Sequence, residues 1–189
     1  TTKNILFDGD GYSDAWQKEA ARRGLSNLRK TPEALSVRMQ DNIIELFDEM
    51  NVMNPIEQKA RYEIQLEQYV QCVEIESLVL ENMSKNQILP TAFKYQHMLI
   101  ENVSGLKQIY GDSFTKHAPV AMEAIEKISA LTDALTSSCA ALAKARTKAN
   151  SMSKMEDSAQ MYAKNVLPVF EKIREAADGL ELIVDDSTW

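Results

Sequence analysis

Glycine and proline are scarce, six and five in 189 residues. Few turn formers mean few turns, so the elements between them are long, and long elements in a globular chain are helices. Cysteine is nearly absent. Cys72 and Cys139 stand alone with no CxxC, which excludes a disulfide framework. Both fall in apolar helical patterns and read as small buried hydrophobes of a reducing compartment. No apolar run approaches the ~20 residues of a membrane span. The opening Thr1-Thr2-Lys3-Asn4 carries no signal-peptide core. A cytoplasmic chain with no membrane partner is the expectation. Basic charge is also in deficit, with 21 Lys and Arg against 28 Asp and Glu and a net charge of −7. That balance argues against nucleic acid, which is held by clustered Lys and Arg, and against an anionic lipid surface.

What is present is ordinary folding material, 44% hydrophobic and 26% charged. The length suits one domain with its own core. Asp8-Gly9-Asp10-Gly11 is a dense turn signal after a short apolar run at 3–7. Ser13 caps a helix over about 14–23, and Gly24 suits the position just past its end. Thr31-Pro32-Glu33 reads as a second start, with Thr31 as cap and Pro32 in the first turn. A third amphipathic stretch begins near Asp41.

Asn54-Pro55-Ile56 opens a long helix to about Leu89. It carries two apolar rows. One is Tyr62, Leu66, Tyr69, Val73 and Leu80; the other is Ile64, Cys72, Ile75 and Val79. Two rows predict packing on more than one side. Pro90 predicts a bend or a break, and the pattern resumes from Phe93 to Tyr110. Two further helices follow, over about 117–150 and 155–178. Ile125, Ile128, Thr132, Leu135, Cys139 and Leu142 alternate by three and four on the first. Ala159, Tyr162, Val166, Val169, Ile173, Ala176 and Leu180 do so on the second. That 3.5-residue period is a helix–helix seam. The short connection at 150–154 makes the pair antiparallel. Pro168 predicts a kink near Lys164, and Gly179 predicts the helix end. The expected fold is all-α, an antiparallel bundle of long helices with a short-helix N-terminal section. Its parts are 1–54, 55–180 and an acidic tail at 181–189.

Chemistry is hard to find. Helical di-iron sites need Glu-x-x-His, but Lys94 and Phe114 stand three before His97 and His117. Asp8, Asp10 and Glu19 have the outer spacing of a calcium loop, yet Tyr12 and Ser13 fill positions that need a ligand and a glycine. No GxxxxGK[ST] or GxGxxG phosphate loop occurs. Neither cysteine has a histidine nearby in sequence. Arg22-Arg23 and Arg29-Lys30 form a small basic island that reads as solvated or ion-paired. Pairs such as Glu123 and Lys127 are surface support. The residues alone give no catalytic, cofactor-binding or metal site. An independent interaction bundle, or a phosphotransfer-type signalling bundle with His97 as phosphoacceptor, fits that outcome.

Two stretches carry a resemblance. The run from Phe7-Asp8-Gly9-Asp10-Gly11-Tyr12-Ser13-Asp14-Ala15-Trp16 through Glu19-Ala20, Arg22-Arg23-Gly24-Leu25, Asn27-Leu28 and Thr31-Pro32-Glu33-Ala34-Leu35 is similar to the region after the catalytic barrel of type III glutamine synthetases. Arg61-Tyr62-Glu63-Ile64, Leu66-Glu67, Tyr69, Ile75-Glu76 and Ile88-Leu89-Pro90 resemble that family's next block. The family more often has Asn at the positions of Asp8 and Asp10, which points to turn chemistry shared by Asn and Asp. The resemblance is strong over about 5–93 and weaker to 180. The Val184-Asp185-Asp186 and Trp189 ending fits a final acidic segment that normally continues a little further. The resemblance implies an ATP-dependent ligase joining ammonia to glutamate through a γ-glutamyl phosphate, with Mg²⁺ or Mn²⁺. It also implies a homo-oligomer of hexameric rings. The family's metal and phosphate ligands lie upstream in the barrel, so no residue here inherits a catalytic role. The chain is expected to be an excised C-terminal helical region, a structural or assembly segment inactive on its own.

Overall fold

The computed structural model describes residues 6–189, so residues 3–5 of the short apolar run lie outside the described residues. Among the described residues the regular elements are helical and none is a strand. They cluster into two compact units, one reaching Tyr62 and one running from Glu63 to Trp189.

In the first unit, α1 spans Asp14–Arg22. Asp10 Oδ1 accepts the Tyr12 N–H at 2.9 Å, closing the turn that precedes it. Ser13 Oγ then accepts the Trp16 N–H at 3.3 Å as the N-cap. The helix stops at Gly24, whose φ is +74°. The Leu25 N–H reaches Ala20 O at 2.9 Å and the Gly24 N–H reaches Ala21 O at 3.1 Å, a Schellman ending. α2 spans Thr31–Ser36 and takes Thr31 into the helix. Lys30 occupies the cap position without a side-chain bond, so Thr31 is not the cap. A 3₁₀ turn, Val37–Met39, leads to α3, Asp41–Glu49. α4, Pro55–Met83, opens with a reciprocal capping box. Asn54 Oδ1 accepts the Glu57 N–H at 2.9 Å, and Glu57 Oε2 accepts the Asn54 N–H at 3.0 Å.

α4 continues into the second unit and runs through a π turn, Ser84–Ile88, into α5, Leu89–Tyr110. Pro90 therefore neither breaks the helix nor ends it. A proline ring collides with the carbonyl four residues back, and a wider turn makes room for it. The Leu89 N–H reaches back five residues to Ser84 O. The same device recurs at Pro168. A π turn, Tyr162–Val166, joins α7, Met155–Met161, to α8, Leu167–Glu181, with the Leu167 N–H on Tyr162 O. The expected disturbance near Lys164 takes this form. The wide turn also keeps the buried face in line. Ser84 and Ala92 both have 0% exposure, although eight residues of ordinary helix would swing the face by about 80°.

Between these two interrupted rods lies α6, Pro119–Asn150, packed on α5 and α8. Its direction is read from its bonds. Gln96 pairs with Ser129, Glu81 with Arg146 and Glu74 with Asn150. Residue numbers fall on the first rod as they rise on α6, so the two are antiparallel. The seam residues Ile128, Thr132, Leu135, Cys139 and Leu142 are buried, as are Ala159, Tyr162, Val166, Ile173, Ala176 and Leu180 opposite them.

Two further sequence expectations need correction. Gly179 does not end the last helix, which runs to Glu181. A Cβ at Gly179 would come within 2.9 Å of Leu131 Cδ2. The glycine allows α8 and α6 to approach closely and is not a stop. Cys72 is exposed, unlike buried Cys139. It lies on the second apolar row of α4, where Ile64, Ile75 and Val79 are also exposed.

Candidate functional site

Two places concentrate polar side chains. The first is the segment around α1. Phe7 packs on Trp16 with ring centroids 4.5 Å apart, and the Arg23 guanidinium sits 5.8 Å over the Trp16 ring. Glu19 accepts from Arg22 at 2.6 and 2.7 Å and from Arg23 at 2.6 Å. The Arg22 bonds, then the Arg23 bond, hold its carboxyl down to about 2. An open cavity of about 530 Å³ adjoins this segment, lined among others by Tyr12, Trp16, Gln17, Asn27 and Arg29. Asp10 is spent on its turn and Glu19 on two arginines, so the calcium-like spacing is turn and clamp chemistry. The basic island is ion-paired at Arg22 and Arg23.

The second place is the seam between α4 and α6. Arg146 donates to Glu81 at 2.7 Å and to Ser77 Oγ at 3.3 Å. Arg146 and Glu81 are each 14% exposed. Lys85 donates to the other Glu81 oxygen at 2.5 Å. The bonds from Lys85 and then Arg146 lower the Glu81 pKa. One step along, Asn150 donates to Glu74 at 2.5 Å and accepts from the Tyr162 hydroxyl at 2.6 Å. Burial, and then the charge of Glu74, pushes the Tyr162 phenol up to about 12. Burial also pushes the Cys139 thiol up, which makes it a core side chain and not a nucleophile.

These groups satisfy one another. Glu19 and Glu81, the two carboxylates that each accept from two cationic side chains, have their pKa values lowered by those bonds. The chemistry available is that of a clamp: the network fixes α4, α6 and the π turn at Tyr162–Val166 in one register. Sequence inspection missed this network. Its trace was visible as Glu74, Ser77 and Glu81 on one helix and Arg146 and Asn150 on another, each set spaced by three or four. Only the tertiary pairing reveals which set meets which.

The histidines stay apart. His97 lies exposed on α5, 3.3 Å from Glu101 one turn on. His117 stacks on Tyr110 at 3.9 Å between centroids. Among the described residues no three His, Cys, Asp or Glu side chains gather to hold a metal, and no phosphate-binding loop precedes a helix. No catalytic step is assigned to these residues. No helix among the described residues is long and apolar enough to cross a membrane.

Comparison with known proteins supplies what the geometry lacks. The chain is 36% identical over 186 residues to a glutamine synthetase of Bacteroides fragilis, covering 98% of this chain and 26% of that one. It is 32% identical over 190 residues to a type-3 glutamine synthetase of Dictyostelium discoideum, and 30% identical over 185 residues to a glutamine synthetase of Butyrivibrio fibrisolvens. It spans about a quarter of the length of these relatives. A family model described as the glutamine synthetase C-terminal domain matches residues 1–107, more than half of the sequence, so the chain belongs to the glutamine synthetase C-terminal domain family.

Proposed function

We propose that this chain is the helical structural and assembly segment of a type III glutamine synthetase. The parent enzyme would ligate ammonia to glutamate with ATP and Mg²⁺ or Mn²⁺, and its ring-based homo-oligomer would use this segment for subunit contacts. One observation carries the reading. Nearly the whole chain aligns with glutamine synthetases, yet it accounts for only about a quarter of each. The clamp chemistry of the α4–α6 seam supports it, since those side chains are committed to holding helices. The cytoplasm, where a chain with a free exposed Cys72 stays reduced, is the compartment this reading implies.

The test has two arms. The 189-residue chain, given ATP, glutamate, ammonia and Mg²⁺ or Mn²⁺, is expected to form no glutamine. In the Bacteroides fragilis enzyme, replacing the matching quarter with this chain should preserve assembly and glutamine formation, and deleting that quarter should dissociate the oligomer. Turnover by the chain alone, or a deletion that leaves assembly unchanged, would overturn the proposal.

A further inference from the structure

The second apolar row of α4 has no partner within its unit. Ile64, Cys72, Ile75, Leu78, Val79 and Met83 are all exposed, from 42% at Met83 to 60% at Ile75. At 3.6 residues per turn they lie on the far side of the helix from buried Leu66, Val70, Val73 and Ser77. The five large side chains offer on the order of 500 Å² of apolar surface, near the largest patch a monomer usually leaves open and over half of the ~800 Å² per partner of a standard interface.

The positions between these residues on the row are Gln68, Gln71 and Asn82, so the stripe itself carries no charge. Its rims do. Glu67 flanks one side and Glu76 the other, and no Lys or Arg occurs between Arg61 and Lys85; Glu74, on the Glu67 side, is turned to Asn150 of α6. Glu67 accepts a hydrogen bond from the neutral amide of Gln71, one turn on. A neutral amide leaves the charge of Glu67 in place. A second copy laid on this stripe would bring glutamate rims against glutamate rims, which is destabilising.

We infer that the exposed row of α4 is a docking surface for an amphipathic helix with an apolar row and Lys or Arg on its flanks. Apolar side chains at three- and four-residue spacing would seat on Ile75, Val79 and Met83, and the basic flanks would meet Glu67 and Glu76. Complementary charge would set the orientation and the salt dependence. The inference goes beyond the glutamine synthetase reading and does not rest on it.

The probe is a fluorescent 22-residue helical peptide with leucines at three- and four-residue spacing and lysine flanks, paired with the same peptide carrying glutamate flanks. Anisotropy titration of the 189-residue chain is expected to show micromolar binding of the lysine peptide, weakened at least tenfold by 0.5 M NaCl, and no binding of the glutamate peptide. The double variant Ile75→Ser/Val79→Ser should lose at least tenfold in affinity with an unchanged circular dichroism spectrum. Glu67→Gln/Glu76→Gln should lose most of the salt dependence. Equal binding of both peptides, binding of neither, or insensitivity to the serine variant would overturn the inference. So would sedimentation showing the chain alone to be a dimer that the serine variant dissociates. A chimera that assembles normally while the peptides fail overturns this inference alone.

Discussion

Tyr162 has 0% exposure, and its hydroxyl is held by Asn150. Its pKa rises from 10 to about 12, through burial first and the Glu74 charge second. The sign follows from linkage. A phenol harder to ionise in the native state contributes stability that is complete below pH 10 and is lost as pH climbs toward 12. The urea midpoint should therefore fall across that window. In Tyr162→Phe the fall should be shallower, while neutral-pH stability drops by about 1 kcal/mol because Asn150 Oδ1 loses its donor. Urea titrations at stepped pH read both effects. Arg146 makes the opposite case at the acid end. Its loss in Arg146→Ala leaves Glu81 largely buried with Lys85 alone, at a cost of about 2–3 kcal/mol. The lowered Glu81 pKa contributes stability present above the ordinary value of 4.5 and lost as pH falls below it. The variant's acid-side loss should be smaller than that of the parent, measurable by thermal melts from pH 7 to 3.

At the scale of elements, helix existence and seams were legible because period and burial agree. Ile128, Leu135, Cys139 and Leu142 could be placed in the core from their spacing alone, since a 3.5-residue row must face a neighbour. Pro and Gly were harder. The sequence shows that Pro90 and Pro168 disturb a helix, but a π turn depends on neighbours rewarding continuity, here Ala92 and Val166 at 0% exposure. Gly179 misled for a related reason. Glycine marks both helix ends and close helix approach, and only the position of Leu131 distinguishes them. The consequence can be measured. Gly179→Leu should destabilise by about 1–3 kcal/mol through overpacking against Leu131. Gly179→Ala should be nearly neutral, because up to ~1 kcal/mol of helix propensity offsets a small shift of a flexible leucine end. Equal losses for both would mean the backbone contact itself is the constraint. For the candidate site, the sequence showed Glu74, Ser77 and Glu81 at helical spacing on α4 but not which residues they meet. The clamp joins Arg146 and Asn150 of α6 to Glu81 and Glu74 of α4, 65 and 76 residues away in the chain, and no local pattern couples them.

At the scale of the whole chain, the two units differ in how much they bury. In the second unit, Leu66, Ile128, Leu135, Leu142, Tyr162, Ile173 and Leu180 all have 1% exposure or less. In the first, the buried side chains among the described residues are Ala20, Pro32, Gln58 and Tyr62. Leu6, Tyr12, Leu25, Met50, Val52 and Ile56 each expose more than half their surface. Ordering a residue costs about 1–2 kcal/mol of backbone entropy, which burial of a few small side chains offsets poorly. Caps and the Schellman ending define where α1 starts and stops without supplying that energy. The stability of the chain is therefore uneven, with the first unit opening far below the global free energy. Hydrogen exchange at neutral pH should show the α1 and α3 amides exchanging at least ~100-fold faster than those around Leu135 in α6, a gap of roughly 3 kcal/mol. Matching protection in α1 and α6 would mean that the first unit gains its stability from contacts beyond its own core. Loss of that match in Glu19→Gln, which removes the charge clamping Arg22 and Arg23, would place the gain in the ion pairs of α1.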